Sequence, residues 1–260
     1  MSARAGFGGA VRSELTKIRT VRSTYWTLVA MVLVTVLIGV LICMFTLGVS
    51  SGPQTSGYDP TYLSLLGLIL SQLLIAALGA LTFTSEYDTG MIRTSLTAQP
   101  RRSTLFAAKA TALAIVSLAA GLVAAFTSFL LGQAILSRED VGAALGQPHV
   151  LRAVVGGALF LCVSGLLAFG LGALFRYAAG AIVAAIAVLF MSAVVSALLP
   201  ASWQAGVSKW IPFNAGSQVW STVSDPSSHM FSPWAGFAIF AGYAVIAMAA
   251  GLAAFLRRDA

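Results

Sequence analysis

The chain has 260 residues, of which 58% are hydrophobic and only 9% charged, with a formal net charge of +7 and a mean hydropathy of +0.92. Soluble domains carry about 25% charged residues, so this composition excludes an ordinary soluble domain and describes a chain solvated by lipid. Twelve arginines against three lysines, with abundant Ala and Gly, give it the look of a product of a high-GC bacterial genome.

In chain order, the first signal is amphipathic. Val11, Leu15, Ile18, Val21 and Tyr25 recur at steps of three and four, with Arg12, Lys17, Arg19 and Arg22 on the remaining faces. This spacing predicts a helix over 10–24 lying along the membrane interface, where its basic residues meet lipid headgroups before the chain turns inward at Trp26. The segment precedes a full-length span rather than a short apolar core with a cleavage site, so it reads as retained rather than as a removable signal.

Uncharged runs then cover 23–58, 60–85, 110–137, 153–175, 177–208 and 226–256. Each exceeds the roughly 20 residues needed to cross about 30 Å of hydrocarbon as a helix. Six spans are expected, at 26–49, 61–85, 105–133, 151–175, 177–199 and 233–256. None of the runs alternates, which excludes a barrel. The expected fold is all-α: one polytopic membrane domain over 1–260, with six transmembrane helices and the interfacial helix before them.

Lys and Arg favour the cytoplasmic side. Arg4, Arg12, Lys17, Arg19 and Arg22 precede the first span; Arg93, Arg101, Arg102 and Lys109 follow the second; Arg176 follows the fourth; Arg257 and Arg258 follow the last. Only Arg138, Arg152 and Lys209 fall on the opposite side. Both termini and the loop at 86–103 are therefore expected in the cytoplasm, and the net positive charge reads as a topology signal and a contact for anionic lipid, not as nucleic-acid binding.

On the outer side, "SREDVGAALGQPH" (137–149) is a polar loop, whereas 200–232 is long and semi-apolar, punctuated by Trp203, Trp210 and Trp220 with Trp234 just beyond. Its centre, "KWIPFNAGSQVW", is too polar to span and too apolar for a solvated loop. One or two short helices dipping into the outer interface are expected there, with the tryptophans as interfacial anchors.

Catalytic chemistry finds little footing. Cys43 and Cys162 lie inside spans and form neither a disulfide framework nor a zinc spacing; the histidines, His149 and His229, both fall near the outer surface. Ser164-Gly165 lacks the first glycine of an intramembrane protease motif, Cys162 standing in its place, and no span holds a histidine base. The six span centres contain no Asp, Glu, Lys, Arg or His, which disfavours an ion-coupled carrier. Gln72 and Gln133 are the larger polar side chains there, suited to bonding between helices or to touching a substrate on its path. No lysine follows the glycine of a phosphate-binding loop: Lys17, Lys109 and Lys209 follow Thr, Ala and Ser. The chain is not expected to be an enzyme; if ATP drives it, another chain hydrolyses it. Small-residue pairs such as Ala168 with Gly172, Gly180 with Ala184 and Ala247 with Gly251 permit close helix packing but carry little functional weight among 25 glycines.

The loop after the second span is more specific. "SEYDTGMIRTSLTAQPRRSTLFAAK" (85–109) resembles the cytoplasmic loop of type-2 ABC exporter permeases, which commonly reads S-E-Y-x-x-G-T-I-R-x-T-L, then P-R-R, then A-K into the third helix. "RSELTKIRTVRSTYW" (12–26) is similar to that family's opening amphipathic helix, and "PFNAG" (212–216) to part of its outer segment. The chain departs from the pattern at Asp88, where a basic residue is frequent, and at Met91, often Thr.

The resemblance implies a bacterial cytoplasmic (inner) membrane permease, paired with a second permease as a homo- or heterodimer and with two copies of an ABC ATPase. No cofactor is expected on this chain; ATP and Mg belong to the ATPase. Glu86, Tyr87, Asp88, Gly90, Met91, Ile92, Arg93 and Leu96 would couple to it. Thr89-Gly90 permits a turn, and Met91, Ile92 and Leu96 give a short helix an apolar face for a groove on the partner. Arg101 and Arg102 would meet headgroups, with Lys109 snorkelling back to them. Trp210, Pro212, Phe213, Asn214 and Trp220 would form an outer gate. The competing expectations are a solvated topology loop on an immunity or sensor-regulatory membrane protein without flux, and, with less support, an ion-coupled carrier.

Overall fold

The computed structural model describes residues 6–49, 59–198, 200, 203, 206–223 and 230–257. Arg4, His229 and Arg258, with parts of the expected outer segment, lie outside the described residues. Every regular element among those described is helical. Among the described residues, six helices are long and apolar enough to cross a membrane: Arg22–Leu47, Pro60–Asp88, Arg102–Glu139, Val150–Phe175, Ala178–Val195 and Pro233–Arg257. The chain is built as a multi-pass membrane protein.

Helix α1 (Phe7–Thr20) precedes α2 (Arg22–Val49). The expected amphipathic helix stops four residues early, because Val21 turns extended (φ −80°, ψ 111°) and the chain enters the first span at Arg22. Val21 and Tyr25 are consequently exposed, while Ala10 and Val11 pack with Ala108 of the third span. The second span is two pieces, α3 (Pro60–Leu65) and α4 (Leu68–Asp88), joined at Leu66–Gly67. A Cβ on Gly67 would strike the backbone of Thr35, so the break lets α2 approach closely.

A short helix, α5 (Ile92–Ala98), leads into α6 (Arg102–Leu136). Next come α7 (Val150–Phe175), α8 (Ala178–Ile186), a π turn over Ala187–Met191 and α9 (Ser192–Ala197). The π turn, with one residue too many for the α-helical ladder, had no signature in the sequence. The segment between the last two spans contains α10 (Pro212–Ser217), Pro212 occupying the first turn where its missing N–H is harmless. The final span is α11 (Pro233–Arg257).

Helix α7 is the centre of the bundle and packs on α4, α6 and α11. Two glycine contacts make this possible. A Cβ on Gly79 would land on the Gly165 carbonyl, and one on Gly251 would land on the Gly170 carbonyl, so α4 and α11 approach α7 backbone to backbone. The Ala247/Gly251 pair therefore does pack helices. Hydroxyls supply further ties between spans: Thr35 and Ser71 lie 2.6 Å apart and both reach the Met31 carbonyl, and Ser128 donates to Ser64 O at 2.6 Å.

Candidate functional site

The sequence places Glu14 three residues before Lys17 on α1, Glu86 in the last turn of α4, and Lys109 two turns into α6. Folding brings all four to one end of the bundle, where they close a ring. Lys109 Nζ donates to Glu86 Oε1 at 2.6 Å and Glu14 Oε2 at 2.9 Å. Lys17 Nζ donates to Glu14 Oε1 at 2.9 Å and Glu86 Oε1 at 3.0 Å, with Ser95 Oγ of α5 at 3.4 Å.

Each ammonium touches both carboxylates, so two positive charges meet two negative ones with no excess. Such balance is needed because Lys109 is 2%, Glu14 5% and Glu86 7% exposed, and an unpaired charge at that depth is strongly unfavourable. Burial alone would lower the Lys17 pKa, but its hydrogen bonds to Glu14 and Glu86, together with their negative charges, outweigh it and raise the value. The ring thus ties α1, α4 and α6 to one another.

Beside the ring lies a cleft of about 220 Å³ between α1 and α5, bordered by Ser13, Glu14, Lys17, Met91, Ser95 and Gln99. Gly90, at φ 69°, makes the expected turn from α4 into α5. The expected outward apolar face, however, faces inward. Ile92 is 4% exposed within the main core and Leu96 packs against that core; only Met91, half exposed, still projects. Helix α5 is too short to hold its own conformation, and burying Ile92 is what anchors it.

Asp88 and Arg93 are exposed at the rim. Tyr87 stacks on Phe83 and lies beneath the Arg176 guanidinium, 5.0 Å from its ring centre.

The basic residues divide in two. Arg12, Arg19, Arg22 and Arg101 are exposed, as headgroup contacts require. Lys109 does not snorkel outward, because Glu14 and Glu86 offer charge partners inside. Arg102 also departs from expectation: it donates to the Phe255 carbonyl at 2.9 Å with its guanidinium over the Phe255 ring, while Arg176 donates to Ala254 O at 3.3 Å. The last four carbonyls of α11 lack helical partners, and these two arginines satisfy those of Ala254 and Phe255.

The opposite end has its own polar ties. Asp59 caps α3 through Tyr62 N at 2.9 Å and accepts from Thr222 N at 2.6 Å and Val223 N at 3.1 Å; Arg152 donates to Ser221 O at 2.9 Å. The segment between the last two spans is fastened to the bundle through them. Trp210 is half exposed, its carbonyl accepting from Tyr243 Oη at 2.9 Å. Pro212 is buried, Phe213 lies edge-on to Phe160, and Asn214 donates to Ser208 O at 3.0 Å.

Trp220 is not an interfacial anchor: it is fully buried, stacked on Tyr62 with ring centres 4.7 Å apart. Of the two glutamines, Gln133 bonds Pro60 O, Ser64 Oγ and Ala143 N, so it joins the second span to the third. Gln72 is fully buried, away from the cavities described.

Glu14, Asp59, Arg152 and Arg176 were missed as site residues. Glu14 did leave a signal, an acid between Val11 and Leu15 on the apolar stripe of an otherwise basic helix. Asp59 left a weaker one as an acid before the helix-starting Pro60. Among the described residues, no group of three His, Cys, Asp or Glu is placed to hold a metal ion. The family model described as "Protein of unknown function (DUF2705)" matches residues 20–260. No curated protein matches the chain.

Proposed function

The chain belongs to the DUF2705 family, and we propose that it is the membrane-spanning permease subunit of an ATP-driven ABC exporter of the type-2 class, set in the bacterial cytoplasmic membrane. In this reading the end with α1 and α5 faces the cytoplasm, as do both termini, in keeping with the side that gathers most of the Lys and Arg. The sequence has no phosphate-binding loop, so two copies of a separate ATPase bind ATP and Mg. A second permease, identical or related, completes the assembly.

The observation that carries this reading is the ring of Glu14, Lys17, Glu86 and Lys109 beside the α1–α5 cleft. It joins the ends of α1, α4 and α6, and α5 is fastened to the same unit through Ile92. A partner seated in the cleft against Met91 would therefore push on three helices rather than on a pliant loop. ATP-driven closure of the ATPases then tilts this unit. Helix α7, in contact with α4, α6 and α11, passes the shift to the opposite end, where the Trp210–Asn214 segment borders the exit.

The test is co-expression with an ABC ATPase encoded beside the gene, followed by co-purification and ATP hydrolysis in lipid vesicles. A stable complex whose hydrolysis and export depend on this chain is expected. Export that follows an ion gradient and ignores ATP would overturn the reading, and an ATPase that binds without driving flux would make the chain a regulatory subunit.

A further inference from the structure

A second recess lies outside the ring and its cleft. Leu15 and Ile18 of α1, Leu28 and Val32 of α2, and Val116 and Ala120 of α6 wall an almost wholly apolar groove of about 590 Å³. Arg19 stands at its edge, exposed, with no carboxylate in ion-pairing range among the described residues. We propose that this groove binds one acyl chain of an anionic phospholipid, with Arg19 holding the headgroup phosphate.

Depth and charge select this occupant. The groove runs along α2 from Tyr25 to Leu33 and along α6 from Ile115 to Val123, about 12 Å in each case at a helical rise of 1.5 Å. Half of a hydrocarbon core of about 30 Å is about 15 Å, so the groove is nearly as deep as a single leaflet. Its cation sits at the end beside the start of the first span, the level at which a headgroup lies. Arg12, one heptad before Arg19 and exposed on the same side of α1, adds positive charge along that edge.

A helix of a second chain would also meet apolar walls, but it would leave Arg19 unmatched. The inference rests on membrane insertion and on this groove, not on the transporter reading. Bound there, the lipid would fill the angle between α1 and the spans and press α1 onto α6, where the ring is formed.

The test is native mass spectrometry of the full chain, stripped in detergent and reloaded with dioleoylphosphatidylglycerol or dioleoylphosphatidylcholine. The wild type is expected to retain one phosphatidylglycerol per chain, and roughly fivefold less phosphatidylcholine, the discrimination that one basic residue near an anionic surface provides. Arg19→Gln, an exposed change compatible with folding, should lower phosphatidylglycerol to the phosphatidylcholine level. Ala119→Phe, which fills the groove, should lose both lipids, while Val245→Phe on the exposed side of α11 should retain them. Equal retention of the two lipids by the wild type, an undiminished preference in Arg19→Gln, or wild-type retention by Ala119→Phe would overturn the proposal. So would disulfide cross-linking of Val116→Cys to a second chain, which would assign the groove to another copy.

Discussion

Lys109 of α6 and Glu86 of α4 meet at 2.6 Å, with the lysine only 2% exposed. Glu14 and Lys17 of α1 complete the set, so that a helix expected to float at the interface is instead pinned to the bundle by charge.

Removing one member of the ring should be far worse than removing a matched pair. Glu86→Ala leaves the buried Lys109 ammonium and the part-exposed Lys17 ammonium sharing one carboxylate, a loss of about 3–5 kcal/mol for a broken buried pair. Glu86→Leu combined with Lys109→Met leaves Glu14 and Lys17 to satisfy each other and should restore most of the stability. Thermal unfolding in detergent measures both; a single variant as stable as the wild type would show that these charges do not hold α1 in place.

Ile92 and Met91, adjacent in sequence, should behave oppositely. Ile92→Ala opens a cavity in the core and should lower stability by about 2–5 kcal/mol, with less folded protein recovered. Met91→Ala should change stability by less than about 0.5 kcal/mol and yet weaken stimulation of the partner ATPase. Unaltered stimulation by Met91→Ala would remove Met91 from the docking surface.

Trp220 should be dark to a water-soluble quencher. In a chain whose other four tryptophans are replaced by Phe, Trp220 emission should be blue-shifted and insensitive to iodide, whereas a chain keeping only half-exposed Trp210 should be quenched. Trp220→Ala should also lower stability by about 3–5 kcal/mol, the range for a buried aromatic. Strong quenching of Trp220 would place it at the surface after all.

Asp59→Ala should free the segment between the last two spans without unfolding the bundle. It removes the acceptor for Thr222 N and Val223 N, and each amide left unsatisfied costs about 1–3 kcal/mol if it stays buried. Hydrogen exchange should accelerate at Thr222 and Val223 while the Gly79–Gly165 contact region keeps its protection. Unchanged exchange at both amides would mean that Arg152 alone suffices to fasten the segment.

The candidate site was only half legible in the sequence. The loop at 86–103 could be found because its charges interrupt long apolar runs, and Gly90 could be read as a turn because glycine tolerates positive φ. Lys109 and Arg102 were assigned to headgroups because local spacing reveals which residues share a helix face, but not which helix lies opposite that face. The inward turn of Ile92 escaped for the same reason: an apolar face on a short helix suits a partner's groove and this chain's own core equally well.

Composition and run length alone determine that the chain is helical and crosses a membrane six times, because lipid cannot satisfy a bare backbone and each span must be long enough to cross it. Those constraints act residue by residue along the chain and are readable without contacts. Tertiary structure decided the pairings: Glu14 with Lys109, Arg102 with the end of α11, Asp59 with Thr222 and Val223, Trp220 with Tyr62. Each joins residues far apart in sequence, and a buried charge or ring is stable only where the bundle supplies its partner, a condition that no local pattern encodes.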